Sequence, residues 1–263
     1  PTRRSSDLRE KYPDIQVIGT AGPFFEGTDY VEGWKIADKL SVPIMDEHYY
    51  QTPGWFIHNQ DFYDKYDRNK AQVYLGEYAA HIEGRASTLE VALAEAAYLT
   101  ALERNGDIVK MASYAPLLAK DGYTQWRPDL IYFNNTDVNL TPSYYVQQLF
   151  GRNNGTEYVP VEASYSNAAV EVQKRVAFSI VKDPKDQSII IKMVNVLPVA
   201  VNMELELDKF NLKTEPAVVA QLTGELKSTT AKPEQKTVPV EKLKNQQLPP
   251  YSLTIIRIPS RAK

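Results

Sequence analysis

Four times before Gly155 this chain places a short apolar run ahead of a segment with helical spacing, and past that residue the helices stop. "IQVIGTAG" (Ile15 to Gly22) reads as a strand ended by glycine, and Asp29 to Leu40 follows with Val31, Trp34, Ile36 and Leu40 near a helical period. Val42 to Tyr50 is a second strand, and the proline-led Pro53 to Asp67 a second helix. "AQVYLGEYAAH" is the third strand. Ser87 onward is the strongest helix, with Ser87 and Glu90 spaced as a capping box, Leu89, Leu93, Ala96 and Ala97 on one face, and Asn105-Gly106 at its end. Ile108 to Ala119 and Thr141 to Gly155 make the fourth pair.

Strands that alternate with helices pair in parallel, and continuous apolar runs mean burial on both faces. An open doubly wound sheet and part of a (β/α)8 TIM barrel both satisfy that rule. The ends of the strands favour the barrel: Thr20 and Gly22; Asp46, Glu47, His48 and Tyr50; Glu77 and Tyr78; Ser113 and Tyr114 all fall at C-terminal ends, where a barrel places its chemistry. Beyond residue 155 the pattern is different. Arg175 to Val181 and Ser188 to Val194 flank the turn-rich "KDPKDQ", Val199 to Asp208 alternates apolar with polar, and "AVVAQLT" and "YSLTIIRIP" follow, which predicts an antiparallel β-sandwich. "STTAKPEQKTVP" (Ser228 to Pro239) reads as a surface loop within it.

The 263 residues are 43% hydrophobic and 24% charged with a net charge of -3, a balance that calls for neither nucleic acid nor a membrane. No apolar run approaches the roughly 20 residues a bilayer requires. Without cysteine there is no disulfide or thiolate site, and His48, His58 and His81 fit no usual ligand spacing, so no metal is expected. With no Gly-rich phosphate loop either, no cofactor is expected.

Glu77 is the residue that asks for chemistry. A carboxylate closing a buried strand is costly to desolvate, so it is either a paired structural acid or a working one. Tyr, Trp and His around it suit a sugar, whose apolar ring faces pack on aromatics while its hydroxyls bond to carboxylates. A retaining glycosidase uses two such acids about 5 to 5.5 Å apart, one attacking the anomeric carbon and the other protonating the leaving oxygen.

"MDEHYYQTPGWFIHNQDFYDKYDRN", "VYLGEYA", "ALAEAAYLTALERNGDIVKMASYAPLLA", "LIYFNN" and "TPSYYVQQLF", in this order, resemble the C-terminal part of the retaining α-L-arabinofuranosidases of glycoside hydrolase family 51. The resemblance runs from about Arg9 to the closing "PPYSLTIIRIP". It implies an α/β plus all-β chain: the second half of a (β/α)8 barrel, strands five to eight, over 9–155, then a jelly-roll-type β-sandwich over 156–263. It also implies removal of terminal arabinofuranosyl groups from arabinan, arabinoxylan or their oligosaccharides. By motif, Glu77 corresponds to the nucleophile, and His48 and Tyr50 to a His-x-Tyr whose tyrosine helps to bind the sugar and to orient the nucleophile. His81, four residues on, either lines the pocket or packs in its loop, and Trp126 is either a wall of the sugar site or an anchor. Asp46 and Glu47 beside His48 are expected to orient it or to bond loop amides.

The family's acid/base glutamate lies in an Asn-Glu pair, and no Asn-Glu occurs in these residues. Four βα units also cannot close an eight-stranded barrel. The chain is therefore expected to be a fragment, with Pro1 to Leu8 a non-native tail that resembles translated sequencing adapter. The expected partner is an arabinose-containing polysaccharide or oligosaccharide, the compartment periplasmic or extracellular, and the parent's oligomeric state, homo-oligomer included, is open. A non-catalytic carbohydrate-binding protein is the alternative, though Tyr165 to Lys263 holds few aromatics beyond Phe178, Phe210 and Tyr251. A β-xylosidase or endoglucanase is another.

Overall fold

The computed structural model describes Leu8 and residues 10–261. The octapeptide read as a non-native tail thus lies, except for Leu8, outside the described residues. Four strands, β1 (Ile18–Thr20), β2 (Ile44–Gln51), β3 (Gln72–Ala80) and β4 (Val109–Tyr114), form a parallel sheet in chain order. The first three are each followed by a connecting helix: α1 (Thr28–Leu40) after β1, α2 (Pro53–His58) after β2, α3 (Leu89–Arg104) after β3. The order has no reversal, unlike the switch point of a doubly wound sheet.

Several boundaries differ from the pattern in the sequence. The fourth apolar run does not continue to Ala119: Pro116, which lacks an amide hydrogen, interrupts it, and Leu118–Lys120 (β5) joins β6 (Ile131–Phe133) and β7 (Val138–Leu140) in a separate small sheet. On α1 the expected apolar stripe is rotated. Val31 and Ile36 face solvent, while Ala37 and Trp34 pack against Ala21 and Met45. The helix after Pro53 ends at His58, and a single 3₁₀ turn, Tyr63–Lys65, follows. Its start is as read: Thr52 caps it, its hydroxyl accepting the Trp55 amide at 3.2 Å.

Past α4 (Pro142–Arg152) the chain builds β8 (Glu157–Tyr158), a short turn of helix (Val170–Gln173, α5), then β9 (Val176–Lys182), β10 (Ile189–Asn195), β11 (Val201–Glu204), β12 (Ala217–Thr223), β13 (Glu234–Val238), β14 (Asn245–Leu248) and β15 (Ser252–Ile258). Six of these make an antiparallel sheet in the order β13-β12-β15-β10-β9-β8, and β11 pairs with β14 alone. The six-stranded sheet is covered on both sides. Ile190, Val194, Ala220, Leu222 and Ile255 join the core around α3, while Ile189, Ile191, Met193, Val219 and Ile256 meet Val201, Met203 and Leu248.

This explains why every residue of α3 except Glu90, Glu103 and Arg104 is buried, rather than one stripe of it. The antiparallel sheet covers the face that sequence periodicity assigns to solvent. It also replaces the expected capping box. Thr88 is the N-cap and makes no side-chain cap bond, and the first free amides of α3, at Leu89 and Glu90, donate instead to the carbonyls of Ser228 and Leu226 at 2.8 and 3.0 Å. The polar stretch after Ser228 is accordingly not only a surface loop: its start caps α3 and its end supplies β13. Buried Lys192 on β10 reaches Glu103 of α3 at 2.5 Å and completes the join.

Candidate active site

Side chains alternate along a strand, so β2 sends Met45, Glu47 and Tyr49 into the core on the helix side and Asp46, His48 and Tyr50 to the opposite face. On β3 the same rule sends Val73 and Leu75 to the core, and Glu77, two residues further, would follow them. It does not. The β2–β3 register slips between Glu47 and His48, so that Glu47 faces Leu75 and His48 faces Glu77, with Gly76 as the extra residue of a bulge. A one-residue slip turns the strand over. Glu77 comes out on the face of Asp46, His48 and Tyr50, and Tyr78 takes the buried side against Phe56.

On that face Tyr50 donates its hydroxyl hydrogen to Glu77 Oε2 at 2.8 Å. His48 stands between two carboxylates, with Nε2 at 2.8 Å from Asp46 Oδ2 and Nδ1 at 3.5 Å from the same Glu77 Oε2. Glu77 keeps 43% of its side-chain surface exposed and His48 24%, so the acid is the more open of the two. Burial, with Glu77 opposite, pushes the Tyr50 phenol up, so it remains a hydrogen donor throughout the neutral range. Burial also raises Asp46 from its ordinary value, and the His48 ring opposes the shift. The arrangement is a carboxylate at the end of a strand, held by the Tyr50 hydroxyl with the His48 ring beside it.

His81 stacks on Tyr50 with ring centroids 5.1 Å apart and planes 14° apart. Burial and the Arg85 guanidinium push His81 down to about 4, so its ring is neutral near pH 7. Trp126 lies 5.8 Å from Tyr50 and is half exposed, beside Arg85 and Arg127 in an open cleft with Thr124 and Gln125. Tyr50 is thus the residue through which His81 and Trp126 meet Glu77. Asp46 and Glu47, adjacent in sequence, part ways. Asp46 holds His48, but Glu47 neither orients it nor bonds loop amides: fully buried on the other face, it accepts from Trp34, Tyr63 and Tyr66 at 3.0, 2.9 and 2.8 Å. Sequence reasoning did not single out Arg85, and no motif marks it.

Gly76 has a second task besides the bulge. A Cβ placed there would lie 1.9 Å from Asp46 Oδ1 and 3.1 Å from His48 Nε2, so only glycine lets the carboxylate close over the strand. Gly76→Ala is expected to displace Asp46 and His48, and any turnover that depends on this face to fall by about 10²-fold, the scale of an ångström's misplacement. Steady-state kinetics on the full-length protein check this. Unaltered turnover would show that the Asp46–His48 contact does not matter.

Comparison with known proteins adds an independent line. A family model for the α-L-arabinofuranosidase C-terminal domain matches residues 59–255. The extracellular exo-α-L-arabinofuranosidase of Streptomyces chartreusis is 46% identical over 157 residues, 60% of this chain and 18% of that protein. α-L-Arabinofuranosidase 2 of Arabidopsis thaliana is 32% identical over 203 residues, 75% of this chain and 27% of the relative. Among solved structures, the arabinose-bound α-L-arabinofuranosidase MgGH51 superposes with a TM-score of 0.81 at 28% identity, covering 99% of this chain and 42% of that one. The chain therefore spans less than a third of these two curated relatives and less than half of that structure.

Proposed function

This chain belongs to the family of α-L-arabinofuranosidase C-terminal domains, in glycoside hydrolase family 51, and we propose that it supplies the nucleophile of a retaining, exo-acting arabinofuranosidase. Glu77 attacks the anomeric carbon of a terminal arabinofuranosyl group of arabinan, arabinoxylan or their oligosaccharides. His48 and Tyr50 hold it in place, and His81 and Trp126 form the wall against which the sugar rests. The observation that carries this is the pairing of Tyr50 with Glu77 at 2.8 Å on an open face that the Gly76 bulge alone gives Glu77.

In the same reading, 9–155 is the second half of a (β/α)8 barrel and 156–263 a jelly-roll-type sandwich, the parent is exported, and the proton donor lies on a preceding segment. Asp46 is not that donor, because its carboxylate is engaged by His48. A retaining mechanism needs the second acid about 5 to 5.5 Å from the first, and proton transfer commonly contributes 10²- to 10⁴-fold. The chain expressed alone is therefore expected to release no appreciable arabinose from an aryl arabinofuranoside, whereas the full-length protein turns it over with retention at the anomeric carbon. Proton NMR of the first-formed sugar reads the stereochemistry. Parent-like turnover by the chain alone sinks the divided pair, and a full-length protein inert on arabinofuranosides sinks the activity.

A further inference from the structure

We propose that Asp46 is a positioning residue for the nucleophile: acting through His48, it fixes which ring nitrogen faces Glu77 and which Glu77 oxygen stays free to react. The inference rests on the proposed function for its reaction and on the geometry alone for its structural part.

An ionised carboxylate can only accept hydrogen bonds. Asp46 Oδ2 at 2.8 Å from His48 Nε2 therefore requires the hydrogen on that nitrogen, and the partner of one ring nitrogen decides the role of the other. Asp46 precedes His48 by two residues on β2, so both project from one face, and Gly76 leaves the space in which carboxylate and ring meet. With Nε2 anchored, the ring is turned so that Nδ1 lies 3.5 Å from Glu77 Oε2, the oxygen that Tyr50 holds, and Nδ1 donates to it only when the ring carries both hydrogens. Among the described residues no hydrogen bond goes to Glu77 Oε1. That oxygen is left to form the bond to carbon.

Packing does not explain Asp46. Only 20% of its side-chain surface is exposed and Oδ1 finds no hydrogen-bond partner, so the strand bears a desolvation cost that an apolar side chain would avoid. The titratable groups that face it are His48 on its own strand, and Glu77 and Tyr74 on β3; β1 places uncharged Thr20 opposite it.

The test uses the full-length protein. Nitrogen-15 NMR of the wild type is expected to show the His48 hydrogen on Nε2 near neutral pH. Asp46→Asn, whose amide can donate to Nε2 and so permit the other tautomer, is expected to change that signature and to lower kcat on an aryl arabinofuranoside by about 10²-fold or more, as a wrong tautomer does elsewhere. KM should move by less than about threefold, since the loss lies in the chemical step. A wild-type His48 with Nε2 bare overturns the proposal even where the variant fails to fold. So does an Asp46→Asn protein with wild-type kcat, or one in which kcat falls while the His48 signature is unchanged. If the wild type hydrolyses no arabinofuranoside, the proposed function falls, and the NMR signature still judges the hold of Asp46 on His48.

Discussion

Glu77→Gly in the full-length protein is expected to lower arabinose release from an aryl arabinofuranoside by at least about 10⁴-fold, the scale on which nucleophiles count, while leaving its melting temperature nearly unchanged. The two halves of that expectation belong together. A structural acid is held by cations or amides and its loss destabilises the fold, but the described partners of Glu77 are Tyr50 and His48, and 43% of its side-chain surface is exposed. In a retaining mechanism the glycosyl-enzyme forms on this carboxylate and is hydrolysed from it, so turnover of the substrate depends on the nucleophile in both steps. Azide fits the space that the missing carboxylate vacates and is expected to restore turnover, forming an arabinosyl azide of inverted configuration. A loss of less than tenfold, or a large fall in melting temperature without rescue, would make Glu77 a structural carboxylate.

How much of this was legible in the sequence divides along a physical line. Local periodicity suffices for β2, β3 and the antiparallel strands β9, β10, β11, β12 and β15, because side-chain alternation is a property of a strand by itself, whereas β13 falls in the stretch that reads as a loop. It fails where distant segments decide. The carbonyls of Leu226 and Ser228 take the cap of α3, more than a hundred residues from Ser87, and the antiparallel sheet buries the helix face that would otherwise be wet. The same limit applies at the site. Counting along "VYLGEYAAH" puts Glu77 in step with Val73 and Leu75, hence in the core, and only pairing with β2 reveals the slip at Gly76 that turns it outward. The resemblance assigned roles to Glu77, His48 and Tyr50 but not the geometry that carries them. Nor could adjacency separate Asp46 from Glu47, whose opposite fates follow from strand alternation once the helix side is known.

Glu95 gives the largest expected effect on stability. It lies in the middle of α3, fully buried, and its Oε1 accepts the amide hydrogen of Ala80 at 2.9 Å. That amide stands at the end of β3 beyond the reach of β4, whose last pairing is Tyr114 with Tyr78 before Pro116 diverts the chain. Glu95 thus closes the strand that carries Glu77. Oε2 has no partner, the uncharged Ser143 hydroxyl faces it, and burial pushes the carboxyl up to about 8 from an ordinary 4.5. The folded state therefore holds this proton more tightly than the unfolded chain does. Its contribution is fully present below about pH 4.5 and is lost progressively as pH rises to about 8, at roughly 1.4 kcal/mol per unit, so on the order of 3–5 kcal/mol across the window. Glu95→Gln keeps the acceptor for Ala80 and cannot ionise. Its stability relative to the wild type is expected to increase steadily from pH 5 to pH 8 in denaturant melts of the two proteins, and a difference that stays constant with pH would mean that Glu95 is already ionised in the fold.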